Sequence, residues 1–386
     1  MNTFWLTLYF SFTRRLIVPI YVVYLLDIGF RPAQIAFVLG LSFFSSVLLE
    51  FPSGAIADTI GHRKTLVIAA LFISLSSSLL LVSTFYGVIT SVIAFAAGYS
   101  LLSGTFSAYI YESLTNEGKE ETYSKVMGTF NGFSNAISIV EVALLGWLYT
   151  ISPNISILIT AVQPALAAFI MLRMKESPTL QSVKKKEGFS ELIHHFSQAV
   201  HIFKSNPLLL RMSILSSLIV SFSTAGADFE QAILQFAGFS VTTIGIVYSI
   251  KRIGSTLISF LGGSISRIGP SKFFVLQGAV LIGFLAGMGY GSSIITLTIA
   301  ATLGSICFAL YRVVAMNFIN QIVPSGSRAT TISLSSLVWS LFVVIELSVF
   351  GWVAEKFTYV AGFQVFTVLA VVLVPFVFFW YKKSTY

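Results

Sequence analysis

The amino-acid sequence predicts an all-α membrane protein with twelve transmembrane helices in two pseudo-symmetric six-helix bundles. Of its 386 residues, 56% are hydrophobic and only 10% are charged, and the mean hydropathy is +0.88. Soluble domains carry about 25% charged residues, so the composition excludes an ordinary soluble enzyme and a disordered chain. Twelve apolar stretches each approach the roughly 20 residues that a membrane-spanning helix needs.

The connections between these stretches predict the orientation of the chain. Of the 23 lysines and arginines, five lie deep within spans, sixteen fall on one side of the predicted membrane, and only Arg31 and Lys356 fall on the other. Because cytoplasmic loops are rich in basic residues, we expect a multi-pass protein of the plasma membrane with both termini cytoplasmic. The same asymmetry explains the net charge of +8 without a nucleic-acid partner. Nothing in the sequence predicts an oligomer, so a monomer in the lipid bilayer is expected. The predicted spans are Phe4–Leu26, Gln34–Ile56, Leu66–Phe85, Val88–Tyr111, Lys125–Tyr149, Ile155–Leu172, Leu208–Phe236, Thr242–Ile265, Phe273–Tyr290, Ser293–Ile319, Thr330–Val353 and Tyr359–Trp380.

The longest polar stretch divides six spans from six. We expect an N-terminal six-helix bundle at residues 1–172, a cytoplasmic linker at 173–207 and a C-terminal six-helix bundle at 208–386. Within the linker, apolar residues at helical spacing predict a surface amphipathic helix over Gly188–Lys204.

The two halves repeat each other at an offset of 209 residues. Identical residues recur through the window 29–58 without a gap, among them Gly29 with Gly238 and Gly54 with Gly263. Two parallel repeats predict a pseudo-two-fold axis along the membrane normal and a substrate path between the halves near mid-membrane.

The most specific motif follows predicted span 2. Gly54 would let two helices approach closely, and Gly61 would supply a tight turn. Asp58 would accept a hydrogen bond from Arg63 or from the N-terminus of a neighbouring helix. The segment closely resembles the cytoplasmic signature of the major facilitator superfamily, G-x-x-x-D-x-x-G-R-[RK], and the resemblance implies the major facilitator fold. The segment reads Glu50-Phe-Pro-Ser-Gly54-Ala-Ile-Ala-Asp58-Thr-Ile-Gly61-His-Arg63-Lys64.

The end of span 4, with Tyr111 and Glu112, extends the resemblance to the drug–proton antiporter branch that includes macrolide efflux proteins. The chain departs from that branch because span 4 has no arginine before its glycine and span 5 has no proline. The resemblance implies that ion pairs form a cytoplasmic gate, whereas simple helix capping and topology are the alternative role. The gate residues would be Gly54, Asp58, Gly61, Arg63, Lys64 and Glu112, with Glu50 as a further candidate.

Nine charged residues fall in the interior of predicted spans, toward the bilayer centre, where a charge costs about 2.5–3.5 kcal/mol. So many buried charges require partners or water, and they favour an aqueous cavity over a purely structural bundle. They are Arg14, Arg15, Lys251, Arg252, Arg312, Glu141, Asp228, Glu230 and Glu346.

Helical spacing sorts these charges onto polar faces. The face of span 7 is continuous and consists of Ser217, Ser221, Thr224, Asp228, Gln231 and Gln235. Shorter faces on spans 5 and 8 consist of Asn131, Ser134, Ser138 and Glu141, and of Tyr248, Arg252, Ser255 and Ser259. Spans 1, 10 and 11 offer Thr7, Ser11 and Arg14, then Ser305, Arg312 and Met316, then Ser335, Trp339 and Glu346.

These faces predict the functional residues. The candidates for proton coupling are Asp228, Glu141 and Glu346. The candidates for a substrate cavity are Arg14, Arg252, Arg312, Thr224, Gln231, Asn131, Ser138, Tyr248 and Trp339. The alternative for each charge is an interhelical ion pair that serves packing specificity, for example Arg14 or Arg15 with Asp228 or Glu230.

The sequence carries no signature of an enzyme. It lacks a phosphate-binding P-loop, an H-E-x-x-H motif and a G-x-S-x-G motif. Its single cysteine, Cys307, excludes an intramolecular disulfide and a cysteine-based zinc site. We therefore predict a protein that is not an enzyme and that needs no cofactor or metal.

Three functions remain open at this level. The first is proton-coupled export of a small-molecule substrate, an amphipathic compound, by alternating access, in which protons and substrate compete for Asp228. The second is a carrier of organic anions or acidic metabolites, because five cations face four acids within the spans. The third is a lipid flippase or membrane sensor that uses phenylalanine-rich openings between helices.

Overall fold

The computed structural model describes residues 3–176, 203–323 and 328–383. Eleven helical stretches in this part of the chain are long and apolar enough to cross a membrane, which confirms the predicted all-α membrane fold. The predicted amphipathic helix that begins at Gly188 lies outside the described residues as far as residue 202. The helices, numbered α1 to α14 in chain order, are Thr3–Phe12, Tyr21–Asp27, Pro32–Ile60, His62–Leu79, Phe85–Thr115, Tyr123–Ile151, Pro153–Leu172, Pro207–Phe236, Val241–Ser266, Pro270–Tyr290, Ile294–Leu310, Met316–Ile322, Arg328–Lys356 and Tyr359–Lys382.

The first predicted span, Phe4–Leu26, is not one continuous helix, so the predicted helical face of Thr7, Ser11 and Arg14 does not extend to Arg14. α1 ends at Phe12, residues 13–17 are irregular, and a 3-10 turn at Val18–Ile20 precedes α2. Pro19 in this turn has no backbone N–H and cannot continue the hydrogen-bond ladder of α1. Arg14 and Arg15 lie in the break, and hence not on one face of a helix.

The tenth predicted span is also interrupted. A π-helical turn over Tyr311–Ala315 separates α11 from α12. π-Turns of this kind occur mostly as single-turn bulges and are frequent at functional sites. The turn changes the helical register within the span and carries Arg312.

The internal repeat is visible in the backbone. Gly29 and Gly238 both adopt φ +85°, and each ends a helix. Phe30 donates to the carbonyl of Leu25 at 2.9 Å, and Phe239 donates to the carbonyl of Leu234 at 3.0 Å. These are the same glycine-ended helix terminus, at the predicted offset of 209 residues.

Contacts group the chain into two compact units, Met1–Tyr24 with Leu41–Gly188 and Leu25–Gly40 with Phe189–Tyr386. In the first unit, α4 packs against α5 and α7, and α1 packs against α6 and α7. Its core includes the stacked rings of Tyr9 and Phe106, 5.8 Å apart, with Phe130 beside them.

The second unit is built around α8. This helix packs against α10, α11, α13 and α14 and is buried along most of its length. Phe229 of α8 stacks on Phe350 of α13 with ring centroids 4.3 Å apart. The segment Leu25–Gly40 belongs to this unit because the start of α3 contacts the end of α13. Gly351 there lies against Ala36, where a Cβ on Gly351 would overlap the alanine side chain.

Candidate functional site

The break in the first span sends its two arginines to different helices. Arg14 donates from Nη1 to Oδ1 of Asn135 in α6 at 3.0 Å. Arg15 donates from Nη2 to Oγ of Ser91 in α5 at 3.0 Å. The structure therefore gives Arg14 an amide partner next to the predicted polar face of α6. The sequence analysis missed Asn135 because it lies one position off the stripe of Asn131, Ser134, Ser138 and Glu141.

Arg15 is held mainly by aromatic rings. Its guanidinium lies 4.6 Å from the ring centroid of Tyr21 and 4.6 Å from that of Phe95. Such cation–π contacts contribute about 0.5–2 kcal/mol each. They stabilise a buried cation that the sequence analysis placed away from the polar face of span 1.

The polar face of α6 meets α7 through a carboxylate–amide contact. Gln163 donates from Nε2 to Oε1 of Glu141 at 2.6 Å. Ser138 is buried on the same face. Asn131, by contrast, donates to the carbonyl of Met127 in its own helix at 2.9 Å. Gln163 had no role in the sequence analysis, since a lone glutamine in span 6 forms no stripe.

In the second unit, α8 and α9 bring predicted residues together around Asp228. Gln231 donates from Nε2 to the Tyr248 hydroxyl at 3.1 Å, so the predicted faces of spans 7 and 8 do meet. Asp228 lies beside this pair and interacts electrostatically with Tyr248 and Lys251. Its Oδ2 atom is buried and accepts no hydrogen bond from the part of the chain that the structure describes.

Next to Asp228 lies a buried ion pair. Lys251 contacts Glu230 through Nζ and Oε1, with the lysine side chain 8% exposed and the glutamate side chain fully buried. The same ammonium lies 3.9 Å from the ring centroid of Tyr248. Glu230 and Lys251 therefore pair with each other. Helical spacing placed Glu230 off the polar face of span 7 and Lys251 at the edge of the polar face of span 8.

The third predicted carboxylate, Glu346, lies on α13. It accepts at Oε1 from the Ser221 hydroxyl of α8 at 2.8 Å, and its Oε2 is buried without a partner among the described residues. Trp339 of the same helix lies 6.4 Å from Phe308 between ring centroids. Thr224 donates to the carbonyl of Val220 in its own helix, yet keeps partial exposure.

Arg252 and Arg312 complete the charges of this unit. Arg252 is partly buried on α9, and Arg312 is exposed on the π-turn. Their positive charges lie close enough to repel each other.

The predicted gate motif has different ion pairs from those expected. Arg63 donates from its backbone N–H to Oε1 of Glu176 at 2.9 Å and from Nε to Oε2 at 3.2 Å. Its Nη1 also reaches the carbonyl of Met174 at the end of α7, 3.1 Å away. Glu112 instead contacts His62, with 2.9 Å between Oε2 and Nδ1. Neither Arg63–Asp58 nor Arg63–Glu112 pairs in this structure.

Of the remaining motif residues, Gly61 forms the predicted turn, whereas Gly54 does not make the predicted close helix contact. Gly61 has φ +91° at the turn between α3 and α4, which only glycine adopts readily. Gly54 would meet no atom within 4 Å of an added Cβ, so the expected close helix approach is absent there. Asp58 and Lys64 are exposed. Glu176 escaped the sequence analysis because it lies beyond span 6, in the stretch interpreted as a linker.

The described residues contain no group of three or more His, Cys, Asp or Glu side chains that could hold a metal ion.

Comparisons with known proteins identify a family and solved structures with the same architecture. The model of the Major Facilitator Superfamily matches residues 3–290. A curated relative, the uncharacterized MFS-type transporter YxaM of Bacillus subtilis (strain 168), is 20% identical over 376 residues, which cover 94% of this chain and 90% of the relative.

Solved structures of transporters share the fold over nearly their whole length. A mutant of the nucleoside transporter NupG matches with a TM-score of 0.85 at 18% identity, covering 99% of both chains. A D-xylose–proton symporter matches with a TM-score of 0.71 at 13% identity, over 97% of this chain and 96% of that one. A bacterial homolog to the human lysosomal transporter Spinster matches with a TM-score of 0.72 at 16% identity, over 99% and 95%. At these identities the likeness concerns the fold.

Proposed function

The chain belongs to the Major Facilitator Superfamily and is a multi-pass membrane transporter for secondary transport, and from this premise we propose that it couples protons to the export of small amphipathic compounds. The plasma membrane, cytoplasmic termini and a monomeric state belong to the same proposal. The resemblance to drug–proton antiporters supplies the direction of transport.

The observation that carries the proposal is the environment of Asp228. One of its carboxylate oxygens is buried and accepts no hydrogen bond among the described residues, although a buried ionised carboxylate normally needs partners. A carboxyl group in this position gains from binding a proton or a cationic substrate group. Both ligands would occupy the same oxygen, so binding of one excludes the other.

This exclusion is sufficient for coupling by alternating access. When Asp228 faces the outside it takes up a proton, and when it faces the inside it releases the proton and accepts the substrate. If the site changed sides of the membrane with neither ligand bound, the carboxylate of Asp228 would be buried as a charge without a counter-charge. Glu141 and Glu346, each already hydrogen-bonded to a neutral side chain, are the secondary proton candidates.

The second unit offers both polar and aromatic groups to an amphipathic substrate. Gln231 and Tyr248, which are hydrogen-bonded to each other, supply an amide and a hydroxyl group. Elsewhere in the unit, the ring centroid of Phe308 lies 6.4 Å from that of Tyr311 and 6.4 Å from that of Trp339. Pockets that combine apolar walls with few polar groups suit such ligands. Nucleoside, D-xylose and other small-solute carriers among the similar structures agree with a small substrate.

The test uses purified protein and sealed vesicles. Thermal unfolding against lipophilic cations, macrolides, organic acids and lysolipids first identifies a compound that binds, since a ligand at 100 times its Kd adds about 2.7 kcal/mol of stability. Vesicles loaded with that compound and a pH-sensitive dye then report whether efflux of the compound acidifies the lumen.

Asp228→Asn removes the charge that both ligands need. Asparagine keeps the shape of the protonated acid but neither takes up a proton nor pairs with a cationic group, so we expect proton movement and transport of the compound to stop together while the protein stays folded. Glu121→Gln removes an exposed carboxylate and serves as the matched control. Proton movement at the wild-type rate in Asp228→Asn would refute the assignment of Asp228 as the proton carrier.

A further inference from the structure

Basic residues of the described second unit gather at one end of its helices. That end is formed by the start of α8, the end of α9, the start of α10 and the ends of α12 and α14. Arg211 donates to the carbonyl of Trp380 at 2.9 Å, and the rings of Phe274 and Tyr381 lie 5.6 Å apart, so α8, α10 and α14 meet there. We call this surface the basic end, and its cations are Lys204, Arg211, Arg267, Lys272, Lys382 and Lys383.

No acidic residue of the second unit lies near these cations. Between residues 203 and 383 the acids are Asp228, Glu230, Glu346 and Glu355. At a rise of 1.5 Å per residue, Asp228 is about 31 Å along α8 from its first residue, and Glu346 is about 27 Å along α13 from its first residue. Glu355 lies at the opposite end of α13. Interactions between exposed charges are screened beyond about 8–10 Å at physiological salt, so the second unit does not neutralise its own basic end.

The first unit balances the cations at its corresponding end with acids. Arg63 pairs with Glu176 at 3.2 Å, and Lys119 pairs with Glu117 at 3.2 Å. The preference for basic residues on the cytoplasmic side counts lysine and arginine and depends little on acids. Membrane topology therefore explains the cations of both units, but it does not explain why acids are absent from the basic end. The acids at this end of the first unit are Asp58, Glu112, Glu117, Glu120, Glu121 and Glu176.

The internal repeat shows how an anion is used at this position. α4 and α10 each follow a glycine with positive φ, Gly61 at +91° and Gly269 at +80°, and neither glycine can supply a side-chain cap. At α4 a carboxylate takes that role, because Glu176 accepts from the backbone N–H of Arg63 at 2.9 Å. At α10 no side chain in the described ranges caps the helix, and its third residue is Lys272. A helix N-terminus and a lysine both favour a negative charge, so the basic end offers an anion position that the first unit fills by itself.

Exposed apolar side chains lead from these cations toward the middle of the helices. On α14, Phe376 and Phe379 are 71% and 65% exposed and share one helical face with Lys383. On α10, the exposed side chain of Val275 follows Lys272 on the same face. A soluble anion would contact only the cations. A phospholipid contacts both the cations, through its phosphate, and the apolar side chains, through its acyl chains.

We propose that the basic end binds the phosphate groups of anionic phospholipids, whose acyl chains lie along the exposed apolar faces of α10 and α14. Clusters of about four to eight lysines and arginines next to membrane-spanning helices are typical of surfaces that bind anionic lipids. Guanidinium and ammonium groups both form charge-assisted hydrogen bonds with phosphate oxygens. The proposal concerns the lipid partner of the second unit and depends neither on the transported substrate nor on proton coupling.

The test is thermal unfolding of the purified full-length protein in uncharged detergent micelles, titrated with phosphatidylglycerol. Phosphatidylcholine with the same acyl chains is the comparison lipid, and sodium phosphate at matched ionic strength is the soluble anion. The variants are Lys272→Gln, Lys383→Gln and the double variant, since both lysines are exposed and contribute no core packing. Lys64→Gln is the matched control, because Lys64 is exposed and is the third residue of α4, as Lys272 is of α10.

We expect phosphatidylglycerol to raise the unfolding temperature of the wild type more than phosphatidylcholine does. The attraction of one lysine to an anionic lipid surface corresponds to a change of about fivefold in affinity. Each single variant should therefore bind phosphatidylglycerol about fivefold more weakly, and the double variant about thirtyfold more weakly. Lys64→Gln should stay within about twofold of the wild type, as a surface substitution away from the binding site does.

Equal stabilisation by phosphatidylglycerol and phosphatidylcholine would overturn the proposal, and so would an unchanged affinity for phosphatidylglycerol in the double variant. An equal loss of affinity in Lys64→Gln would overturn it in favour of attraction by the overall positive charge. Stabilisation by sodium phosphate as strong as that by phosphatidylglycerol would overturn it in favour of a soluble anion. The measurement uses neither substrate nor pH gradient, so these outcomes are separate from the test of Asp228 as the proton carrier.

Discussion

Removing Lys251 tests how the second unit tolerates its buried charges. In Lys251→Met the fully buried carboxylate of Glu230 loses its counter-charge, and Asp228 loses its closest cation. Breaking one side of a buried ion pair costs about 3–5 kcal/mol. The ammonium also leaves the Tyr248 ring, a contact of about 0.5–2 kcal/mol. We therefore expect Lys251→Met to lose about 3.5–7 kcal/mol of unfolding free energy.

A second variant distinguishes the pair from simple loss of packing. Lys251→Met combined with Glu230→Met removes both charges and keeps the volume, and such replacements are often neutral or stabilising. Because Asp228 still lacks its cation, we expect the double variant to regain about half of the loss or more. Lys272→Met, an exposed lysine at the start of α10, should change stability by less than about 0.5 kcal/mol.

The assay is denaturant unfolding in detergent micelles, followed by tryptophan fluorescence. A loss below about 1 kcal/mol in Lys251→Met would mean that water or a proton compensates the carboxylate of Glu230 that is left behind. A double variant no more stable than the single one would mean that packing, and not charge, sets the cost. Either result would refute the reasoning above.

Two further predictions concern the helix ends. Glu355 accepts from the backbone N–H of Ala33 at 2.9 Å at the start of α3, so Glu355→Ala should cost about 0.5–2 kcal/mol, as loss of a helix cap does. Gly351→Val should cost more, because its side chain would overlap Ala36. Thermal unfolding measures both variants, and equal losses would contradict the packing argument. The side chains of Arg63 and Glu176 are 29% and 36% exposed. A double-mutant cycle with Arg63→Gln and Glu176→Gln should therefore give a coupling energy of about 0.2–1 kcal/mol. Additive losses would show that the ion pair contributes nothing measurable to stability.

The sequence predicted the parts of the fold that depend on one helix at a time. Apolar stretches separated by polar turns located the spans within a few residues, and the paired Gly29 and Gly238 anticipated the same helix terminus in both halves. Polar spacing identified the polar faces of single helices, and two pairs of these faces contact each other in the structure, through Gln231 with Tyr248 and through Ser221 with Glu346. In each case the pattern along the chain depends on which side of a single helix faces lipid and which side faces protein. It can therefore be recognised without knowing which helix packs beside it.

The ion-pair partners of charged residues could not be predicted from the pattern along a single helix. The sequence motif suggested Asp58 or Glu112 for Arg63, whereas the structure selects Glu176, because the end of α7 lies beside the start of α4. Likewise, helical spacing placed Glu230 away from the polar face of span 7. In the structure it pairs with Lys251, because the packing of α9 against α8 turns the lysine toward it. Rotation and depth of one helix against another depend on the packing of many side chains and leave no periodic trace in either helix.

The sequence by itself determined the membrane fold, the repeat and the set of charges available within the spans. Only the tertiary structure decided that the first span breaks at its arginines, that a π-turn presents Arg312, and which charges neutralise each other. The physical reason is that hydrophobic burial acts on every residue of a span and averages over its length. An ion pair or a helix break depends on the position of one atom relative to a neighbour far away in the chain.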